Sequence, residues 1–392
     1  MIRSWRNLST LAAFRPCAQY PARSASFSTS SAARANRAIV YTQVGHPAIN
    51  LRTYTFPTLP LPSPGSVNIR YRLSPINPSD LNVIEGAYPV QPDPDMLLSP
   101  DGDLFVPGNE GLAEVTAVGD GVQSLSVGDW IVVAKQQSGT WVSARTVRAE
   151  DVVKLPKGDV SEASAATITV NPPTAYNMLR EFVDLKEGDW IIQNGANSAV
   201  GQAVIQIAAR RGINTINLVR NRDDFEELEK RLKALGATHV LTYDDLVARR
   251  QFSKQVKEWT EGAPVRLMLN CIGGENVTKM MKVLGLDAHL VTYGAMAREP
   301  ISIPASPLIF KGLVVRGFWQ SRWYETHGRK DREELMRAII NLRLKEPDHE
   351  IVTIPGGLDD EEAGQLVRAT IRRVSEGTVG KKILWRIEEP AD

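Results

Sequence analysis

A run of small residues, Gly195-Ala196-Asn197-Ser198-Ala199-Val200-Gly201, is the first place where this chain could do chemistry. It follows a strand-like stretch, Asp189 to Asn194, and leads into a helical pattern from Gln202 to Arg211. In that setting a tight turn brings backbone amides and the positive end of a helix dipole against a pyrophosphate, which demands small residues where backbone and phosphate meet. A glycine turn alone says little; the strand before it and the helix behind it turn the reading toward a nucleotide site. Ser198 stands where glycine is usual and brings a hydroxyl able to add a hydrogen bond. About 20 residues further on, where a site for NAD carries an acid for the ribose 2′-hydroxyl, the chain reads Val219-Arg220-Asn221-Arg222. Two guanidiniums suit a 2′-phosphate and a carboxylate would repel it, so NADPH is the expected cofactor. The competing account is a pair of solvated arginines at a strand end.

A second candidate is Tyr88, in the segment Gly86-Ala87-Tyr88-Pro89. A phenol with an unperturbed pKa near ~10 is protonated at neutral pH and can donate a proton or a hydrogen bond to developing negative charge. Pro89 confines the backbone of Tyr88 to extended conformations, which would help present the ring to a cleft. A packed loop tyrosine is the alternative. Only two cysteines occur, Cys17 and Cys271. With so few thiols neither a disulfide framework nor a cysteine-rich zinc site is available, and no metal is expected.

These groups need elements to hold them. From Ala38 to about Val170 the chain reads as short β-type runs broken by Pro and Gly, with Val67 to Leu73 alternating apolar and polar, and turns at Gly119-Asp120 and Gly128-Asp129 before Trp130-Ile131-Val132-Val133. After a helix-like stretch from Thr174 to Val183 the pattern changes. Asp189 to Asn194, Asn214 to Val219, His239 to Leu241, Val265 to Cys271 and His289 to Thr292 read as buried strands separated by helix-length segments such as Asp223 to Leu235. Such alternation implies a parallel sheet with helices on both faces. Gly312 to Phe318 reads as an edge strand, and Lys382 to Trp385 as a strand that could return to the first region.

A length of 392 residues suits two domains, and a hydrophobic content of 43%, a charged content of 23% and a net charge of +1 give no reason to expect nucleic-acid binding. No stretch approaches the roughly 18 consecutive apolar residues of a membrane span. Charge is unevenly spread, however. No acid precedes Asp80, while Arg3, Arg6, Arg15, Arg23, Arg34 and Arg37 do, and Ile2, Trp5, Leu8 and Leu11 recur at helical spacing ahead of a Ser-rich run. An acid-free, Arg- and Ser-rich, amphipathic start is what a mitochondrial transit peptide requires, so residues 1 to 35 are read as a leader and the destination as the matrix. A disordered basic tail is the other account.

The motifs Pro75-Ile76-Asn77-Pro78-Ser79-Asp80, Gly86-Ala87-Tyr88-Pro89, Gly108-Asn109-Glu110-Gly111, Gln193 to Ser198, Asn270-Cys271-Ile272-Gly273-Gly274 and Gly317-Phe318-Trp319 give the chain a likeness. Over residues 38 to 392 it resembles the medium-chain dehydrogenase/reductase superfamily, and within its zinc-free, quinone-oxidoreductase-like branch the mitochondrial trans-2-enoyl-CoA (enoyl-acyl-carrier-protein) reductases. The resemblance implies an α/β fold: a Rossmann doubly wound parallel sheet (171 to 344) plus a mostly β, GroES-like catalytic domain (38 to 170 and 345 to 392). Zinc-containing relatives use the histidine of a Gly-His-Glu motif as ligand, and Asn109 occupies that place here.

The implied reaction is NADPH-dependent reduction of the 2,3 double bond of an enoyl thioester, with Tyr88 as proton donor. The resemblance places Asn171, Asn197, Ser198, Ala199, Val200, Arg220, Asn221, Arg222, Tyr293, Gly294, Ala295, Met296, Phe318, Trp319, Gln320 and Lys381 around NADPH. Ala199 stands where many relatives have glycine, Asn221 replaces an acid between the two arginines, and Lys382 beside Lys381 competes for its role. The likeness also implies a homodimer joined along an edge strand. Arg316, Arg322, Arg329 and Lys330 could meet the phosphates of coenzyme A or an acidic acyl-carrier protein, or form a solvated helix face. Two rival functions share this scaffold: an NADPH:quinone reductase, which would not need Tyr88, and a non-catalytic NADPH-binding coregulator.

Overall fold

Two sheets organise the chain, and a cleft lies where their loops meet. The computed structural model describes residues 35–392 apart from 100–101, 247–248, 378 and 391–392, so the expected leader lies, but for Ala35, outside the described residues. The strands are β1 (Ala35–Val40), β2 (Arg52–Pro57), β3 (Ser66–Pro75), β4 (Leu112–Val118), β5 (Trp130–Val133), β6 (Ala144–Arg148), β7 (Val152–Leu155), β8 (Trp190–Gln193), β9 (Asn214–Val219), β10 (His239–Thr242), β11 (Val265–Asn270), β12 (Leu284–Thr292), β13 (Val314–Gly317), β14 (His349–Ile354) and β15 (Lys382–Ile387).

The first sheet has the order β14-β15-β3-β4-β5-β7, with β6 also on β3. The alternation read in β3 places Val67, Ile69, Tyr71 and Leu73 in the core while Arg70 and Arg72 stay exposed. β15 does return to this region: it pairs antiparallel with β3 through Leu384 and Pro75, and parallel with β14. β1 and β2 form a separate antiparallel pair. That pair is clamped to the helix Asp360–Ser375, because Asp360 accepts from Thr55 N at 2.9 Å and Thr55 Oγ1 at 2.8 Å, and Arg37 donates to Pro355 O at 2.9 Å.

The second sheet is parallel throughout, in the order β10-β9-β8-β11-β12-β13. Its strands are apolar runs because helices cover both faces; Trp190, Ile191, Ile192 and Gln193 are all buried. Burial of each such Ile or Leu contributes about 1.5–3 kcal/mol. The strand order reverses between β8 and β11, and in doubly wound sheets ligands bind beyond the carboxyl ends of strands at that reversal. The edge strand expected over Gly312 to Phe318 is observed as β13. Beside it the helix Ala305–Lys311 leaves Leu308, Ile309 and Phe310 exposed.

The helix Arg329–Asn341 buries Leu335, Met336 and Ile339 in one cluster with Leu73, Leu112 and Leu155 of the first sheet. The two regions therefore share a packed boundary on one side of the cleft. No helix among the described residues is long and apolar enough to cross a membrane.

Candidate active site

Beyond β8 the backbone turns at Gly195, whose φ of +59° suits only glycine comfortably, and a Cβ there would sit 2.6 Å from Cys271 Sγ. A Cβ on Gly201 would meet the backbone of Ala196 at 2.6 Å. The loop is thus folded back on the start of the helix Ala199–Arg210, which leaves the positive end of its dipole facing the cleft. Ser198 is the N-cap: its hydroxyl accepts from Gly201 N at 3.1 Å. Capping uses this hydroxyl as an acceptor and leaves its O–H as the donor that sequence reading offered for an extra hydrogen bond. Gln202 donates to Asn197 O at 2.8 Å, and Tyr243 Oη accepts from Gly195 N at 3.2 Å, both holding the turn.

At the end of β9 the two arginines are not equivalent. Arg222 is paired with Asp224, donating to Oδ2 at 2.8 Å, whereas Arg220 is exposed and makes no ion pair among the described residues. Asn221 turns away, donating to Asp244 Oδ2 at 2.7 Å. A dinucleotide phosphate fits this donor set: close-packed glycines, a helix N-terminus and a guanidinium at the place of the 2′-substituent.

Across the cleft Tyr88 follows the short helix Pro78–Ile84. The chain leaves that helix through Gly86, at a φ of +74°, and is pinned by Ala87 N donating to Asn82 O at 2.8 Å. Trp319, at the N-cap of the helix Gln320–Thr326, donates from Nε1 to Tyr88 Oη at 2.7 Å, with the rings edge-on at 6.0 Å and 71°. An indole N–H only donates, so it occupies a lone pair of the phenol and leaves the phenolic hydrogen free to be given elsewhere. Burial holds the Tyr88 pKa above the ordinary phenol value, and the charge of Asp80 adds to this, while the Trp319 and Ser321 hydrogen bonds pull it down. The net effect keeps the hydroxyl protonated at neutral pH. A second link spans the cleft beside it, where Arg298 pairs with Glu85 and reaches Asn82 Oδ1 at 3.4 Å.

Beneath Tyr88 lies a polar cluster that sequence reading did not single out. Asp80 and Glu110 are completely buried. Asp80 accepts from Asn77 N and from Asn109 Nδ2, each at 2.7 Å, and Asn109 Oδ1 accepts from Gln137 N at 2.7 Å. Both amide atoms of Asn109, at the place of the zinc-ligating histidine, are thereby used in binding protein groups. Glu110 accepts from Asn77 Nδ2 at 2.7 Å and from Val170 N at 3.1 Å. Asn77 Oδ1 in turn accepts from Lys382 Nζ, and from Asn171 Nδ2 at 3.4 Å. Burial raises Asp80 to about 6 and Glu110 to about 7 despite these donors and the Lys382 charge, and burial lowers Lys382. The motifs Asn77 to Asp80 and Asn109-Glu110 were the signal that could have revealed this cluster.

A cleft of about 910 Å³ joins these parts. Tyr88 and every cofactor candidate except Asn221 lie along it: Asn171, Asn197, Ser198, Ala199, Val200, Arg220, Arg222, Tyr293, Gly294, Ala295, Met296, Phe318, Trp319, Gln320 and Lys381. Lys382 lines it as well, and unlike Lys381, which is exposed, reaches the Asn77 cluster. Of the basic residues considered for a substrate handle, Arg329 and Lys330 are engaged with Glu333 and Glu334 on their own helix, while Arg316 and Arg322 stay exposed.

Comparison with known proteins gives matches over most of the chain. Residues 63–157 match the alcohol dehydrogenase GroES-like domain and residues 199–340 the zinc-binding dehydrogenase family. A mitochondrial enoyl-acyl-carrier-protein reductase of Yarrowia lipolytica is 42% identical over 306 residues, 78% of each chain. The Homo sapiens protein of the same name is 41% identical over 320 residues, 81% of each chain. Among solved structures, that of an Etr1p/NADP/crotonyl-CoA complex superposes with a TM-score of 0.81 at 32% identity, covering 90% of this chain and 99% of that one. A mitochondrial 2-enoyl thioester reductase Etr1p/Etr2p heterodimer from Candida tropicalis gives the same TM-score, identity and coverage.

Proposed function

Since the chain belongs to the family of mitochondrial enoyl-acyl-carrier-protein reductases, we propose that it uses NADPH to reduce the 2,3 double bond of trans-2-enoyl thioesters, with Tyr88 as the proton donor. The observation that carries this reading is the Trp319 to Tyr88 hydrogen bond, set across a cleft from the Gly195 to Gly201 loop and the exposed Arg220.

NADPH supplies the hydride, which the substrate receives at C3. The protein does the rest. The loop Gly195 to Gly201 and the N-terminus of the helix Ala199–Arg210 hold the pyrophosphate, and Arg220 holds the 2′-phosphate. Negative charge then develops on the thioester oxygen and C2. The Tyr88 hydroxyl delivers its proton to C2, and the Trp319 N–H stabilises the phenolate left behind until solvent reprotonates it. Burial of the phenol favours its protonated form beforehand, which suits a general acid.

Residues 38–170 with 345–392 then act as the catalytic domain and 171–344 as the nucleotide-binding domain. The exposed Leu308, Ile309 and Phe310 beside the open edge of β13 support a homodimer, and the Candida tropicalis relative is itself a dimer. The Arg-rich, acid-free leader together with relatives named mitochondrial supports a place in the matrix. Arg316 and Arg322 are the exposed cations left to meet the carrier, whether coenzyme A or acyl-carrier protein. Incubating the purified protein with NADPH and either crotonyl-CoA or a quinone, and following nicotinamide absorbance, tests the reading. Oxidation with crotonyl-CoA is expected; oxidation with the quinone alone, or with neither, would refute it.

A further inference from the structure

Lys382 sits beside Asn77 for a reason written in the sheet. β15 runs antiparallel to β3 with Leu384 opposite Pro75 and Trp385 opposite Ser74, and Ile76 N donates to Ile383 O at 2.9 Å. Continuing that register brings Lys382 opposite Asn77, the residue that begins the helix leading to Tyr88. The Asn77 side chain is then caught from two sides. Its amide nitrogen donates to buried Glu110 at 2.7 Å, and its amide oxygen accepts from Lys382 and, at the longer distance of 3.4 Å, from Asn171. Glu110 in turn receives Val170 N at 3.1 Å, next to Asn171 at the head of the helix Asn171–Glu181. Lys382 is also the cation that acts on both buried acids, Asp80 and Glu110.

We propose that Lys382 is a positioning residue for the reduction: by holding Asn77 it fixes both Asn171 on the cofactor side of the cleft and the segment Pro78 to Tyr88 on the acid side. Without it Asn77 keeps only the long Asn171 bond on its oxygen, and two buried carboxylates lose the cation that faces them. The two reacting partners would then be held less well relative to one another, although the groups expected to bind phosphate would be untouched. The inference rests on the enoyl-thioester reading, and the test separates the two.

The parent protein is compared with Lys382→Met and Lys382→Arg in three measurements: kcat with crotonyl-CoA at saturating NADPH, NADPH affinity from nucleotide fluorescence, and the thermal midpoint. Loss of alignment in an active site costs on the order of 100-fold in rate, so Lys382→Met should lose about 10- to 100-fold in kcat. Its NADPH affinity should stay within about threefold, and Lys382→Arg should recover most of the rate, as expected for a role in orientation. Parental kcat in Lys382→Met would overturn the proposal. So would an Arg variant no better than the Met variant, or a loss of NADPH affinity as large as the loss of kcat/KM, which would make Lys382 a direct cofactor ligand. If Lys382→Met does not fold, the double variant with Glu110→Gln removes a buried acid along with the cation that faces it, and parental kcat there would equally count against the idea. A parent protein that does not oxidise NADPH with crotonyl-CoA would sink the reaction assignment instead, before any variant is compared.

Discussion

If Trp319 acts on the reaction through the oxygen of Tyr88, removing both groups should cost no more than removing Tyr88 alone. The bond between them is 2.7 Å long and half-buried, and the hydrogen bond strengthens as the phenol becomes a phenolate. A hydrogen bond to a charged group contributes about 1.5–3 kcal/mol, so Trp319→Phe should slow kcat by about 10- to 150-fold. Tyr88→Phe deletes the acid itself, for which about 100- to 10,000-fold is the usual loss. Trp319 is half-buried and lines the cleft, so water can take the N–H that Tyr88→Phe leaves behind, and the thermal midpoint should fall by less than a fully buried orphan donor, at about 1–3 kcal/mol, would produce. Steady-state reduction of crotonyl-CoA by the two single variants and the double variant closes the cycle, with NADPH affinity followed by fluorescence. The expected outcome is strong non-additivity, with the double variant about as slow as Tyr88→Phe, NADPH affinity nearly unchanged in Tyr88→Phe, and any loss of affinity confined to the two variants that alter Trp319, a cleft-lining residue expected around the cofactor. Losses that simply multiply would show that the indole and the phenol work separately, and wild-type turnover in Tyr88→Phe would remove the tyrosine from the reaction.

Two further outcomes are open to direct measurement. Arg220→Ala should weaken NADPH binding by about 10- to 150-fold while leaving NADH within about threefold, and Arg222→Ala should do less because Asp224 already engages that guanidinium; equal losses for both nucleotides would contradict the 2′-phosphate role. Glu110 carries a pKa raised from 4.5 to about 7 by burial, so the folded protein binds this proton more tightly than the unfolded chain. Its contribution to stability is therefore full below about pH 4.5 and is lost as pH rises through about 7. The unfolding free energy of the parent relative to Glu110→Gln should fall between about pH 5 and about pH 8, and a difference that is flat or rising across that range would refute the assignment.

The nucleotide half was legible because its signals are local. A strand, a small-residue turn and a helix follow one another within about two dozen residues, and each leaves its own periodicity in the chain. Other features depend on pairings that no local window contains. Tyr88 and Trp319 meet across 231 residues, and Lys382 and Asn77 across 305. That Lys382 reaches Asn77 follows from how β15, which begins at Lys382, pairs with β3, a register that two adjacent lysines do not reveal. Asp80 and Glu110 look like surface acids until the sheet buries them beside amide donors. Asn221 sits between two arginines that line the cleft, but its amide is drawn to Asp244, 23 residues away.

The clamp between the first strands and the helix Asp360–Ser375 has a consequence in time. Arg37 waits for Pro355, 318 residues later in the chain, and β3 waits for β15. β1 and β2 come first in the chain and lack the helix that covers them until its last residues arrive, whereas the six parallel strands from Trp190 to Gly317 lie in one contiguous stretch. The parallel half can therefore close from one stretch of chain, while the other half keeps open strand edges until its first and last residues meet.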